Sequence, residues 1–511
     1  MTRSPSVRTN ALANYVGQAV TTLVGIVFVP FYLRYLGAEA YGLVGFFVVL
    51  QLWLGLLDVG LSPMLNREVA RARADANGFT DFRRILRSVE LIFAGIALAT
   101  GLAMTLASPL LAAHWFKVQS LDPAQVSQCL MLMGWMIGLR FFASIYRTAL
   151  NGMEAQVSLN AINVGFAVAK AVGSLAVLRY VSNTPLAFFL VQLLLGLLEP
   201  IVLAQRSYRV LPPTTERIGL AFAKAQLITA MPFGLSIAYT SILWLLLSQL
   251  DRLLLSGLLP LDEYGYFSLV MALTSAVTLA ASPLSSALIP RLTYLHSKGE
   301  IDQLIRLYRN ATQLTAVLMI PLTGMVALFG KELMYAWTGN LAASTWASNI
   351  IFWYMLGNTF LTFTSYQYYL QYAYGDLALN VKINTLQAII GAPLITLAAY
   401  RFGATGTAIV WCLLQAATFV VSPPLVQRKL APGLYRPWMR QDLLPVATGA
   451  VLVLAVLSLL SGDLIARFNR LEIFLALSVM GVCVVAGAAA GSSLLRSYLA
   501  RMTHLAPTGH Q

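Results

Sequence analysis

The chain has 511 residues, 58% of them hydrophobic and only 11% charged, with a mean hydropathy of +0.73. A soluble domain carries about a quarter of its residues charged, so the composition excludes a soluble enzyme, a disordered chain and a single-span receptor. The same composition holds enough apolar residues for roughly 14 membrane crossings at about 20 each. A β-barrel is not expected, because its alternating strands keep mean hydropathy low.

Apolar segments long enough to span run over 11–33, 41–63, 89–113, 127–149, 155–179, 184–205, 226–257, 264–289, 310–330, 345–372, 377–400, 404–426, 442–462 and 471–495. The spacing predicts an all-α polytopic membrane protein of about 14 transmembrane helices. The basic residues orient it. With the N-terminus in the cytoplasm, 24 of the 34 Lys and Arg fall on that side, eight fall on the other, and Arg140 and Lys170 lie inside spans. This is the positive-inside pattern; it places the C-terminus in the cytoplasm as well and accounts for most of the net charge of +14. An anionic substrate is the second contributor to that charge, and nucleic acid is not expected. The first apolar run is too long and too polar for a cleavable signal.

The chain also repeats itself. Tyr41-Gly42 opens the second segment after Glu39, and Tyr264-Gly265 opens the eighth after Asp262-Glu263, at an offset of 223 residues. Gly152 and Gly375 match at the same offset, and Arg179-Tyr180 matches Arg401-Phe402 at 222. We therefore expect two six-helix lobes, 10–210 and 225–430, related by an axis along the membrane normal. Two further helices at 440–496 read as peripheral additions. The cytoplasmic stretches 66–88 and 290–309 are basic and partly amphipathic (Phe82, Ile85, Leu86; Leu304, Ile305, Leu307), which suits anionic headgroups.

Polar side chains are costly in hydrocarbon and face a bundle interior or a wet cavity. The first segment carries Asn14 and Gln18 on one face, open to two readings: helix–helix glue or cavity lining. The fourth carries Arg140, Ser144, Arg147 and Asn151, and the fifth Asn163 and Lys170. Asp58 lies at a depth like that of Arg140, so the two either neutralise each other or leave Arg140 and Lys170 to meet a phosphate, which suits the guanidinium fork. Asp251 and Arg252 are the corresponding pair in the seventh segment, while Glu199 is open to two readings: reaching the headgroups, or serving with Asp58 and Asp251 as a charge partner or proton-coupling residue. The tenth segment mixes aromatics and amides, Asn358, Tyr366 and Gln367 among them, a pattern of interfacial girdles and also of sugar binding. Cys129, Cys412 and Cys483 all lie in apolar runs and read as small core residues. No Gly-Lys-Ser/Thr phosphate loop, cofactor motif or metal-ligand spacing appears, so no ATPase, other enzyme or cofactor is expected.

Tyr35-Leu36-Gly37-Ala38-Glu39-Ala40-Tyr41-Gly42, Leu57-Asp58-Val59-Gly60-Leu61, Leu150-Asn151-Gly152 and Gln249-Leu250-Asp251-Arg252, taken with the fourteen segments, resemble the Wzx-type oligosaccharide flippases. These are polysaccharide and O-antigen transporters of the MATE-related superfamily, and the resemblance covers most of 10–430. It implies a multi-pass protein of the bacterial inner membrane. Such a protein flips undecaprenyl-pyrophosphate-linked oligosaccharide by alternating access, and its partners are membrane lipids, a polysaccharide polymerase and glycosyltransferases. It also implies a cationic cavity, which points to Arg140 and Lys170 with Asp58 and Asp251 as charge partners. Two relatives remain as alternatives. Cation-coupled exporters of the superfamily carry an acid in the first helix, where this chain has Asn14 and Gln18. Lipid II flippases put arginines within that helix, where this chain has Arg34 at the end.

Overall fold

A computed structural model describes residues 7–58, 61–72, 78–212, 224–280, 282–462 and 464–496. These residues are helical almost throughout, and an isolated bridge pairs Lys117 with Pro260. The helices are α1 (Val7–Leu54), α2 (Leu61–Ala72), α3 (Gly78–His114), α4 (Pro123–Gly152), α5 (Gln156–Tyr180), α6 (Pro185–Val210), α7 (Lys224–Leu258), α8 (Leu261–Leu279), α9 (Ser282–Ser297) and α10 (Ile301–Leu328). They continue with α11 (Gly330–Thr338), α12 (Leu341–Tyr374), α13 (Ala378–Leu430), α14 (Tyr435–Pro437), α15 (Leu444–Ser461), α16 (Leu464–Arg467) and α17 (Arg470–Gly491).

Local chemistry sets several of these boundaries. Asp122 caps α4 by accepting from the Ala124 N–H at 3.0 Å, and Thr184 caps α6 by accepting from that of Ala187 at 3.3 Å, each with Pro at the first helical position. The 48-residue α1 would be about 72 Å long if straight, more than twice the hydrocarbon core. It breaks at Gly37, where φ is 81°. The 53-residue α13 breaks in the same way at Gly403, with φ 59° and ψ −145°. Only glycine takes these angles without strain.

Among the described residues, ten helices are long and apolar enough to cross a bilayer. The chain is thus an all-α polytopic membrane protein. The segment expected over 41–63 does not run through as one helix. It gives way to a short 3₁₀ turn at Gly55–Asp58, after which α2 begins.

The chain divides into two compact units, Met1–Ser268 and Leu269–Gln511. In the first, α3 packs along α4, α4 along α6, and α1 along α5. Part of its core gathers Leu65, Val69, Phe82, Leu86, Phe93 and Ile145. Phe82 and Leu86, expected on lipid headgroups, are instead shut inside this core. In the second unit Leu304 is likewise fully buried beside Leu292, Leu295 and Tyr308. In both places the apolar side of the amphipathic stretch meets protein, which buries the same area without a membrane surface.

The C-terminal helices are also not peripheral. α15 and α17 pack on each other and on α10, and Trp438, Val446, Ile473 and Val484 are fully buried in the second unit's core. Asp442, with no exposed surface, accepts from Arg309 Nε at 2.7 Å, Arg309 Nη2 at 3.0 Å and Gln313 Nε2 at 2.6 Å. Trp438 Nε1 donates to Thr312 Oγ1 at 3.1 Å. A buried carboxylate is held only where its lone pairs are answered, and here α10 answers them.

The two matched glycines do different work: Gly375 closes α12 at φ 71°, whereas Gly152 is the last helical residue of α4, where a Cβ would stand 2.7 Å from Val69 Cβ. Cys129 and Cys412 are buried as expected, but Cys483 lies exposed on α17.

Candidate functional site

Three helices of the first unit present polar side chains two turns apart. α4 carries Arg140 and Arg147, α5 carries Asn163 and Lys170, and α6 carries Gln192 and Glu199. A spacing of seven returns a side chain to the same helix face. The three faces meet with Thr21, Phe47 and Gln51 of α1 around one cavity of about 420 Å³. That volume lies in the range of about 300–1,000 Å³ usual for small-ligand sites.

Glu199 organises the charge. Only 6% exposed, it gives one carboxylate oxygen to Lys170 Nζ at 2.6 Å and the other to Arg147 Nη2. Of the two readings of Glu199, the headgroup contact is therefore corrected and the charge partner agrees with the geometry: two cations from neighbouring helices make its burial affordable. Among the described residues Arg140 reaches no carboxylate within ion-pair distance. Its Nη1 donates to Gln51 Oε1 at 3.0 Å, and its side chain is exposed to the cavity. Three cations against one carboxylate leave the site with a formal excess of two positive charges. Two buried polar atoms in the wall, Asn163 Oδ1 and Arg147 Nε, make no hydrogen bond. A buried polar group without a partner costs about 1–3 kcal/mol, and a bound polar ligand would relieve it.

A smaller hollow of about 220 Å³ shares Gln51, Arg140 and Arg147 with the cavity and adds Asp58, Ser62 and Ser144. Asp58 does not neutralise Arg140 there. Its Oδ1 accepts from both the N–H and the hydroxyl of Ser62, each at 3.0 Å, so it caps the first turn of α2. Ser144 donates to the Phe141 carbonyl at 2.7 Å.

The remaining candidates lie elsewhere. Asn14 accepts from Asn160 Nδ2 at 2.6 Å, which makes it glue between α1 and α5, and Gln18 is exposed on α1 with its carbonyl accepting from Thr21. Asn151 accepts from Gln156 at the turn into α5. Asp251 is buried, and its Oδ1 accepts the backbone N–H of Arg252 at 2.7 Å, so the contact between these neighbours runs through the backbone. In the second unit, Asn358 accepts from Trp411 Nε1 at 3.2 Å. Tyr366 is buried with its hydroxyl on Thr315 and the Ala311 carbonyl. Gln367 is buried between Tyr308 and Gln427. The α12 side chains are thus consumed in helix packing within that unit. Of the cavity's polar wall, Gln51 and Gln192 were not read from the sequence. The sevenfold spacing that places Gln192 with Glu199 was the available signal.

The family described as polysaccharide biosynthesis protein matches residues 7–296. No curated protein matches the chain. Among solved structures the chain is similar to the lipid II flippase MurJ in an inward closed conformation, with a TM-score of 0.70 at 13% identity over 97% of this chain and 99% of that one. It is similar to an inward-facing multidrug resistance MATE family transporter of the MOP superfamily, at 0.64 and 12% over 81% of this chain and 96% of that one. It is also similar to a MOP superfamily transporter from Pyrococcus furiosus described as having a binding pocket of reversed polarity, at 0.53 and 13% over 82% and 94%. At such identities the likeness is one of fold.

Proposed function

The chain belongs to the polysaccharide biosynthesis protein family, and from that premise we propose that it flips a polyprenyl-pyrophosphate-linked oligosaccharide across the bacterial inner membrane. Its fold is that of membrane flippases and transporters. The observation that carries the proposal is the cavity in which Arg140, Arg147 and Lys170 face a single carboxylate, Glu199. A site with excess positive charge inside a low-dielectric bundle attracts an anion strongly and repels the cations that a drug exporter would carry.

In this reading the pyrophosphate docks on Arg140, whose planar fork matches phosphate oxygens, and on the two cations that Glu199 holds. Asn163 and Gln192 hydrogen-bond the first sugar, and the polyprenyl tail stays in the bilayer. The two six-helix lobes, 10–210 and 225–430, then exchange access to the two faces of the membrane. The fourteen-span topology with both termini cytoplasmic belongs to the same proposal, as do a polymerase and glycosyltransferases as neighbours in the pathway. A lipid II substrate would use the same headgroup chemistry.

The test is glycan export in a strain lacking the gene, complemented with Arg140→Ala and Lys170→Ala. We expect surface glycan to be lost in both while the protein accumulates normally in the membrane. Full export by both variants would overturn the assignment. Rescue of a lipid II flippase deficiency, in place of glycan export, would move the substrate.

A further inference from the structure

Any cationic cavity open to a bacterial membrane faces an excess of the wrong anion. Phospholipids carrying one negative phosphodiester are abundant, and the lipid carrier is scarce. The cavity in the first unit contains a feature suited to this problem. Glu199 occupies Arg147 and Lys170 at once, 2.6 Å from Lys170 Nζ, and is almost wholly buried. Arg140, on the same helix face as Arg147, is left with a neutral partner, Gln51.

We propose that Glu199 is a specificity-determining internal counterion that lets a pyrophosphate into the cavity and keeps singly charged phospholipid headgroups out. The inference rests on the functional reading above and adds to it the basis of discrimination.

The argument is one of charge and competition. Glu199 is tethered, so its effective concentration at the two cations is that of an intramolecular partner. A phosphodiester offers Arg147 and Lys170 no more charge than Glu199 already supplies, and it must bring its own translational entropy. Arg140 alone offers it one site, partly answered by Gln51. A pyrophosphate esterified at both ends carries two charges. It matches the two-charge excess of three cations over one carboxylate, and it spans Arg140 and the Arg147–Lys170 pair without expelling Glu199. Phosphate oxygens can also use Arg147 Nε, buried and without a hydrogen bond. Asn163 Oδ1, the other unanswered atom, is an acceptor. It calls for a donor, which a sugar hydroxyl supplies.

Neutralising Glu199 would raise the excess to three and release both of its cations to any anion. Specificity here is a difference of affinities set by a repulsive and competing element.

The experiment uses the purified full-length protein in phosphatidylcholine nanodiscs, with radiolabelled farnesyl-pyrophosphoryl-N-acetylglucosamine, a pyrophosphate esterified at both ends, as the probe and phosphatidylglycerol added as the competing lipid. Wild-type binding of the probe is expected to hold as phosphatidylglycerol is raised. In Glu199→Gln the probe still binds without phosphatidylglycerol, and raising that lipid weakens it by about tenfold or more, a difference of about 1.4 kcal/mol. If Glu199→Gln binds the probe and resists phosphatidylglycerol as the wild type does, the counterion role is overturned and the functional reading stands. If the wild type does not bind the probe at all, both fall together. Should Glu199→Gln not fold, Lys170→Gln serves. It cuts the excess to one, so probe binding is expected to drop about tenfold with no gain in phosphatidylglycerol binding. Unchanged probe binding in that variant overturns the proposal.

Discussion

Gly42 and Gly265 each pack against the carbonyl four residues before the other. A Cβ on Gly42 would stand 2.3 Å from the Leu261 oxygen, and one on Gly265 would stand 2.1 Å from the Ala38 oxygen. Residues 38 and 261 are 223 apart, as are 42 and 265. So are Gly45 and Ser268, which face each other: a Cβ on Gly45 would meet Ser268 Oγ at 1.8 Å. A contact in which i meets j and the equivalent of j meets the equivalent of i is what a two-fold axis produces. Here the axis relates two segments of one chain, the second half of α1 and the start of α8.

This reciprocity makes a thermodynamic prediction. Gly42→Val and Gly265→Val should each destabilise the protein by about 1–3 kcal/mol through overpacking. Once one has pushed α1 and α8 apart, the other has less to disrupt, so the double variant should cost clearly less than the two together. Unfolding in detergent checks this, and strictly additive costs would refute a shared contact.

A second prediction concerns Asn163. Its Oδ1 is buried without a partner, so Asn163→Leu removes an unmet acceptor while keeping a side chain branched at the same carbon. The substrate-free protein should be as stable as the wild type or more so, by about 1 kcal/mol, whereas export of glycan should fall. Thermal unfolding and the export assay together test it; a loss of both stability and export would show that Asn163 serves packing.

The Asp442 site is expected to be the most sensitive point in the second unit. Asp442→Ala leaves Arg309 without its carboxylate and Gln313 Nε2 without one of its two acceptors, the other being Ser493 Oγ at 3.1 Å. Breaking a buried pair from one side costs about 3–5 kcal/mol, which should appear as a large drop in the unfolding temperature. Arg309→Met with Asp442→Leu should recover part of the loss, because two apolar groups leave no charge behind. No recovery would mean that the network is required for more than charge balance.

Asp376, in the turn between α12 and α13, gives a pH dependence. The Lys429 ammonium at 2.5 Å, with help from the Ala378 N–H, holds its carboxyl below the ordinary carboxylate range. A depressed value in the fold means stability that is present above the unfolded value and lost as pH falls through the folded one. Wild type and Asp376→Asn should therefore differ at neutral pH and converge in acid. The difference should be small, because the pair is exposed to solvent. A gap that persists at low pH would exclude the ion pair as its cause.

Much of this was legible in the sequence, and the rest fails for identifiable reasons. The apolar runs and their helices were readable because hydropathy over about 20 residues is a local property. Arg140 with Arg147 and Asn163 with Lys170 were readable because a spacing of seven fixes a face. The partners of Glu199 were not readable because they lie 52 and 29 residues away, on two other helices. Asp58 was misread because a deep acid near a deep arginine suggests a pair, and the Ser four residues later that it caps is a weaker signal. In α12, Tyr366 and Gln367 carry the pattern of a sugar site, yet the same donors and acceptors serve helix packing equally well. Phe82, Leu86 and Leu304 show the same ambiguity for amphipathic stretches, which bury one face against whatever apolar surface the fold supplies.

The Arg309–Asp442 bridge has a consequence for how the protein is made. Arg309 leaves the ribosome 133 residues before the carboxylate that neutralises it. At about 5–20 residues per second that is an interval of roughly 7–27 seconds, during which α10 holds a cation with no final partner. The second unit therefore cannot reach its finished form helix by helix in order of synthesis. It must wait for the end of the chain to come back and close it, and a ribosome stalled after α13 would leave behind an unfinished protein marked by that unpaired arginine.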